Sequence, residues 1–215
     1  MQSHPGAHLR VRPVSTKLIL VRHGVSADTT AKRFSGGLDG SNPPLASTGE
    51  AQINAAMEFI GEVDVIVSSP VRRARQSADL LAARVGLPVL EEPGLAEMSF
   101  GSWEGREMAE VMKTDPEGFL GFFSSVDQVA GATGESLIEV QARVRRACTD
   151  VVAAHEGKRV AVFSHVTPIK VIVADALGAP LLSVYRSQLD PGGVSLIEFG
   201  KRGQRVLGFN LRYVG

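Results

Sequence analysis

Lys17-Leu18-Ile19-Leu20-Val21-Arg22-His23-Gly24 and Arg159-Val160-Ala161-Val162-Phe163-Ser164-His165 share one local design: a short apolar run that ends on a histidine. Branched apolar residues in runs of this length read as buried strands, and the histidine marks the turn that follows. In an open α/β sheet, ligands bind at the carboxyl ends of the strands. Two imidazoles delivered there from distant parts of the chain point to one site. Arg22 adjoins the first histidine, and Arg72, Arg73 and Arg75 follow another strand end, Ser68-Ser69-Pro70. Histidine with arginine is the chemistry of an oxyanion site, most economically phosphate.

Working outward, Gly24 to Pro44 is a long polar loop without periodicity, the mark of a functional loop. Ser47-Thr48-Gly49-Glu50 reads as a capping box opening a helix to about Ile60, with Ile53, Met57 and Ile60 on one face. Val63 to Ser68 is a strand. Pro70 suits the first turn of a helix that stops at Gly86, and Pro88 to Leu90 is a short strand. A helix over Glu135 to His155, the strand Lys158 to Ser164 and a helix over Pro168 to Leu177 follow. A hairpin closes the chain: Val194 to Phe199, a Lys201-Arg202-Gly203 turn, then Gln204 to Asn210. This alternation predicts an α/β fold, a mainly parallel central sheet with helices on both faces. Residues 94–132 break the rhythm and read as a small helical cap inserted over the site. The cap carries Phe100, Trp103, Phe119, Phe122 and Phe123, which either line a substrate entrance or form a core of their own. Trp103 is the first candidate for the entrance.

Composition narrows the function classes. The 215 residues suit one domain over residues 17–215, preceded by a flexible tail over residues 1–16. Lys plus Arg equals Asp plus Glu at 23 each, so no net positive charge points to nucleic acid or an anionic membrane as partner. The most apolar stretch, Val160 to Leu182, is interrupted by His165, Lys170 and Asp175 and is a buried strand and helix, not a membrane span. The tail has no apolar run of signal-peptide length, and a single cysteine, Cys148, sits in a helical pattern; the expected compartment is the cytoplasm. No cluster of Asp, Glu, His or Cys has metal-ligand spacing, and the expectation is neither metal nor cofactor. His4 and His8 belong to the tail, and His155 suits a helix end, where a cation favours the dipole. Arginines at the start of a helix are the reverse case, unfavourable unless they meet an anion.

Five blocks then occur in order: Arg22-His23-Gly24, Ser68-Ser69-Pro70-Val71-Arg72-Arg73-Ala74, Leu95 to Gly105 (Leu-Ala-Glu-Met-Ser-Phe-Gly-Ser-Trp-Glu-Gly), Gly134-Glu135-Ser136 and Ser164-His165. Together they resemble the histidine phosphatase superfamily, in its phosphoglycerate mutase-like branch, over about Lys17 to Leu196. The resemblance implies that His23 is the nucleophile that becomes a phosphohistidine, and that Arg22 and Arg73 clamp the phosphoryl oxygens. It makes His165 the second histidine of the phosphate pocket and Glu97 the general acid, which afterwards activates water. Ser35 matches a loop residue that contacts phosphate.

Three positions depart from the family pattern. Val25 stands where Glu or Gln often follows Arg-His-Gly, Thr29 where many relatives have Asn, and Val166 where most have Gly after the second histidine. The Thr29 hydroxyl supplies a comparable donor, and the Val166 side chain joins the binding residues. These departures disfavour a mutase. The run Ser164-His165-Val166-Thr167-Pro168-Ile169-Lys170 looks like the version in α-ribazole phosphatase-like proteins, and in domains fused behind a ribonuclease H domain in actinobacteria. The present chain has room for no such second domain, and its tail reads as the remnant of a linker. The expected function is metal-independent phosphomonoester hydrolysis on a small phosphorylated substrate, α-ribazole 5'-phosphate being one candidate. The alternatives are a phosphoglycerate mutase, a phosphoprotein phosphatase and an inert phosphate-binding regulatory module. The oligomeric state stays open, with a homodimer as one candidate.

Overall fold

Alternation along the first strand decides how the layers assemble. A computed structural model of the protein describes residues 15–36 and 40–212. Strand β1 (Thr16–Arg22) buries Leu18 through Val21 completely, because both faces of the sheet are covered. Leu18 and Leu20 point to one core, and Ile19 and Val21 to the other. A one-turn helix, α1 (Ala27–Thr30), interrupts the loop that the sequence reads as aperiodic. Helices α2 (Ser47–Ile60) and α3 (Arg72–Val85) bracket strand β2 (Val65–Ser68) and cover the Ile19 and Val21 face with Ile53, Met57, Ile60 and Leu81. Strand β3 (Val89–Glu91) follows. Helices α4 (Met108–Thr114) and α5 (Pro116–Ser124) lie in the cap region. Helix α6 (Leu137–Ala154), strand β4 (Arg159–Ser164) and helix α7 (Val166–Leu177) come next, and both helices pack on the Leu18 and Leu20 face. Strands β5 (Val194–Gly200) and β6 (Gly203–Leu211) form the expected hairpin.

The six strands form one sheet in the order β3-β2-β4-β1-β5-β6. Strands β3, β2, β4 and β1 run parallel, and β5 and β6 are antiparallel additions at one edge. The register pairs Arg22 with Ser164, so the next residues, His23 and His165, emerge side by side.

Several sequence expectations need correction. No capping box forms at Ser47, which is already the first helical residue after Ala46. The chain is held at this point by other partners: Leu45 N–H donates to Gln76 Oε1 at 2.8 Å and Ala46 N–H to Val25 O at 3.0 Å. A side chain at Gly24 would lie 2.2 Å from Gly49 O, so this pair of glycines lets the histidine-bearing turn sit against the start of α2. The working capping box is Ser136 with Glu139 at the start of α6. Pro70 precedes α3 by two residues, and α7 starts at Val166 with His165 as its N-cap, ahead of the expected Pro168. Thr16, read as the end of the tail, opens β1, where its hydroxyl accepts from Gly157 N–H at 3.0 Å. Residues 1–14, with His4 and His8, lie outside the described residues.

The cap has no separate core. Phe34, Phe100, Trp103 and Phe122 join the cluster that also holds α6 and α7. Trp103 is 1% exposed, stacks on Phe34 at 5.2 Å and Phe122 at 5.6 Å, and donates from its indole to Asp115 Oδ2 at 3.3 Å. It belongs to the hydrophobic core, not to an entrance. Trp103→Ala should therefore cost about 3 kcal/mol of stability and affect all substrates alike, as thermal unfolding and a substrate panel would show. A rise in KM confined to bulky substrates, at unchanged stability, would contradict this placement.

Candidate active site

Three parallel strands deliver the site from their carboxyl ends. Arg22 closes β1 and His23 follows it, His165 follows β4, and Arg73 lies in the first turn of the helix after β2. His23 is 3% and His165 0% exposed, and their ring centroids are 5.1 Å apart.

Hydrogen bonding sets the tautomer of His23. Its Nδ1 lies 2.7 Å from Gly24 O, and a carbonyl only accepts, so Nδ1 carries the proton. Nε2 is left with a lone pair, which accepts from Arg73 Nε–H at 3.0 Å. A strand-end histidine pinned by the next carbonyl thus has its Nε2 lone pair held in a fixed direction. His165 is pinned at the other nitrogen, with Nε2 2.8 Å from Ser69 Oγ. Its Nδ1 is buried and has no partner among the described residues, and the same holds for Arg22 Nε. Buried polar groups are normally satisfied, so two unpartnered nitrogens near His23 leave hydrogen-bonding capacity that a ligand could use.

The arginines are held by backbone. Arg73 is 2% exposed and donates from Nη2 to Ser35 O at 2.8 Å and Gly36 O at 3.0 Å, and from Nη1 to Ser35 Oγ at 3.3 Å. Arg22 donates from Nη1 to Leu189 O at 2.5 Å. Such clamps keep the guanidinium planes fixed and lower the ordering cost of binding an oxyanion.

Glu97 is 4% exposed, and its Oε1 accepts from Met98 N–H at 2.8 Å. Its loop is organised by Arg143 of α6, a residue the sequence reading gave no role. Arg143 donates to Gly94 O, Ala96 O and Glu97 O at 2.8–3.0 Å and pairs with Glu135 at 2.7 Å. Glu135 in turn accepts from Ser99 N–H at 2.9 Å. Glu135 sits in one of the quoted sequence blocks, but nothing in the sequence says what it holds.

A cavity of 340 Å³ opens in front of these groups. Arg22, His23, Thr29, Ser35, Arg73, Glu97 and Val166 all line it, and His165 lies directly behind His23. These seven residues singled out from the sequence therefore meet at one cavity, with His165 packed against His23 and not on its lining. Of the cap aromatics, Phe100, Phe122 and Phe123 line the cavity, whereas Trp103 and Phe119 do not. Sequence reasoning missed Phe34, Met108, Lys170, Val184 and Tyr185 on its walls. Val184 and Tyr185 come from a 3-10 segment, Leu181–Arg186, that has no periodic signal. Cys148 is remote; burial pushes its thiol up to about 12, so it is inert at neutral pH.

Burial, then the charges of Arg73 and Arg22, hold His23 well below its ordinary pKa. Burial, then Arg73 and His23, do the same for His165. Both imidazoles are neutral at pH 7. In the unfolded chain they titrate near ~6.5, so below that pH the unfolded state takes up protons that the folded state refuses. Stability should be unaffected by these groups above about pH 7 and fall as pH drops from ~6.5 toward 5, by about 1 kcal/mol per pH unit for each imidazole. Inorganic phosphate should soften the fall, because a bound dianion offsets the two arginines. Thermal unfolding between pH 5 and 8, with and without phosphate, checks this; a midpoint that ignores pH in that window would contradict it.

Comparisons with known proteins cover most of the chain. Residues 18–212 match the family model "Histidine phosphatase superfamily (branch 1)". The chain is 36% identical over 191 residues to a protein of Mycobacterium tuberculosis named as bifunctional, covering 87% of this chain and 51% of that one. It thus spans about half the length of some curated relatives it matches. It is 33% identical over 197 residues to phosphoserine phosphatase 1 of Hydrogenobacter thermophilus, covering 91% and 92%. The crystal structure of the α-ribazole phosphatase from Shigella flexneri superposes with a TM-score of 0.80 at 25% identity, covering 93% and 98%. The chain belongs to the histidine phosphatase superfamily. Among the described residues, no helix is long and apolar enough to cross a membrane.

Proposed function

We propose that this chain hydrolyses small phosphomonoesters through a phosphohistidine at His23, without metal. The observation that carries the reading is the His23 tautomer: Nδ1–H held on Gly24 O, and a lone pair on Nε2 in a cavity also lined by Arg22, Arg73 and Glu97. His23 Nε2 attacks phosphorus and the P–O ester bond breaks. The Glu97 carboxyl gives its proton to the departing alcohol oxygen. Arg22, Arg73 and His165 Nδ1–H hold the three remaining oxygens as charge spreads onto them. The Glu97 carboxylate then takes a proton from water, whose oxygen attacks phosphorus. The P–N bond breaks, phosphate leaves, and His23 and protonated Glu97 are restored. Ser35 supports Arg73 through its hydroxyl, Thr29 adds a donor to the cavity wall, and Val166 packs against the bound ester.

The leaving alcohol is a small organic group. Phe34, Phe100, Phe122 and Phe123 offer ring faces to it, which is what keeps α-ribazole 5'-phosphate a candidate. The test uses purified protein with p-nitrophenyl phosphate and a panel of phosphorylated metabolites. Turnover should be saturably inhibited by vanadate, a five-coordinate phosphate mimic, and unaffected by EDTA. Activity that disappears on chelation and returns with a divalent metal would overturn the mechanism.

A further inference from the structure

Resting on the phosphomonoesterase reading, we infer that Lys170 and Tyr185 form a subsite for a carboxylate on the alcohol half of the substrate.

One face of α7 forms part of the cavity wall, presenting Val166, Thr167 and Lys170 at helical spacing. Lys170 is half-buried, and among the described residues its ammonium makes no hydrogen bond and no ion pair. A cation kept in such a place without a partner is unfavourable unless a ligand supplies the anion. Burial, and then the nearby charge of Arg22, lower its pKa, and the nearby Glu97 carboxyl offsets this only in part.

Most other charged side chains on the cavity wall are already engaged; Lys32 is exposed to solvent, and Glu97 accepts from Met98 N–H. Arg73 is fixed on Ser35 and Gly36 beside His23, and Arg22 faces the same phosphoryl group. Arg33 pairs with Glu107 at 3.3 Å. Asp28 accepts from the Ser41 hydroxyl at 2.5 Å. The phosphate dianion therefore satisfies Arg22 and Arg73 and leaves Lys170 opposed only by the Glu97 carboxyl, which makes no ion pair with it among the described residues and carries a proton when the ester binds in the proposed reaction.

Tyr185 adds a second donor. Its hydroxyl is buried and unpartnered among the described residues, although the side chain lines the same cavity. Its ring packs edge-on against Phe122 and Phe123, with centroids at 5.6 and 5.0 Å, so the hydroxyl is held in position. One ammonium and one neutral O–H suit a single negative charge with two oxygens, which is a carboxylate rather than a second phosphate. A neutral alcohol half, as in α-ribazole 5'-phosphate, would leave both donors unpaired.

Two matched pairs test this: O-phosphoserine against O-phosphoethanolamine, and 3-phosphoglycerate against glycerol 3-phosphate. Within each pair the carboxylate is the difference. The readout is the ratio of kcat/KM within each pair, alongside turnover of p-nitrophenyl phosphate. Wild-type protein should favour the carboxylate member on the order of tenfold to a hundredfold, because buried polar groups discriminate strongly against an analogue that leaves them unpaired. Lys170→Gln should bring the ratio close to one, Lys170→Arg should retain most of it, and Tyr185→Phe should reduce it several-fold while keeping the ring packing. Equal treatment of both members of each pair by a wild-type protein that turns over p-nitrophenyl phosphate would overturn the subsite and leave the phosphomonoesterase reading intact. A preference that survives Lys170→Gln would also overturn it. No turnover of any of the five esters would overturn both.

Discussion

His23→Ala should lower kcat for every phosphomonoester by about 10⁴-fold or more and abolish the acid-labile phosphoenzyme that a rapid quench would trap. The size follows from losing a covalent step: a barrier higher by about 5 kcal/mol is four powers of ten in rate. The structure makes this variant a clean one. The His23 side chain is buried but makes only two hydrogen bonds among the described residues, to Gly24 O and from Arg73 Nε; its backbone bonds survive the change, and Arg73 keeps its bonds to the carbonyls of Ser35 and Gly36. The folded state should survive with its arginines in place, and vanadate or phosphate should still bind, more weakly. Turnover within about tenfold of wild type in a folded variant would remove His23 from the nucleophile role.

Glu97→Gln is expected to divide substrates by their leaving groups. Alkyl alkoxides are strongly basic and need a proton as the P–O bond breaks, so their hydrolysis should slow by about 10³-fold. p-Nitrophenolate leaves unaided, and its release should fall by less than about tenfold, until attack of water on the phosphoenzyme becomes limiting. A burst of nitrophenolate followed by a slow steady state would separate the two roles of Glu97. Gln keeps the size of the side chain and an oxygen to accept from Met98 N–H, so the loop under Arg143 should hold its shape. Equal losses on alkyl and aryl esters would show that Glu97 works by position or charge rather than by proton transfer.

The sequence by itself determined the strands, their order of appearance and the residues that end them. Lys17 to Val21 and Arg159 to Phe163 are apolar on both sides, and only a sheet covered on both faces buries such runs. That placed Arg22, His23 and His165 at one rim, and the motif blocks added Arg73 and Glu97. Local signals with several partners to choose from were less decisive. The capping box at Ser47 did not form because the Leu45 and Ala46 N–H groups find acceptors in Gln76 and Val25, residues that no short window includes. Only the tertiary structure decided which aromatic rings face the substrate. Trp103 and Phe100 are three residues apart, yet one is locked in the core by Asp115 and Phe34 and the other lines the cavity. It alone also brought Lys170 and Tyr185 to one cavity and set Arg143 beneath Glu97. Those contacts join segments far apart in the chain, where packing and not spacing chooses the neighbour.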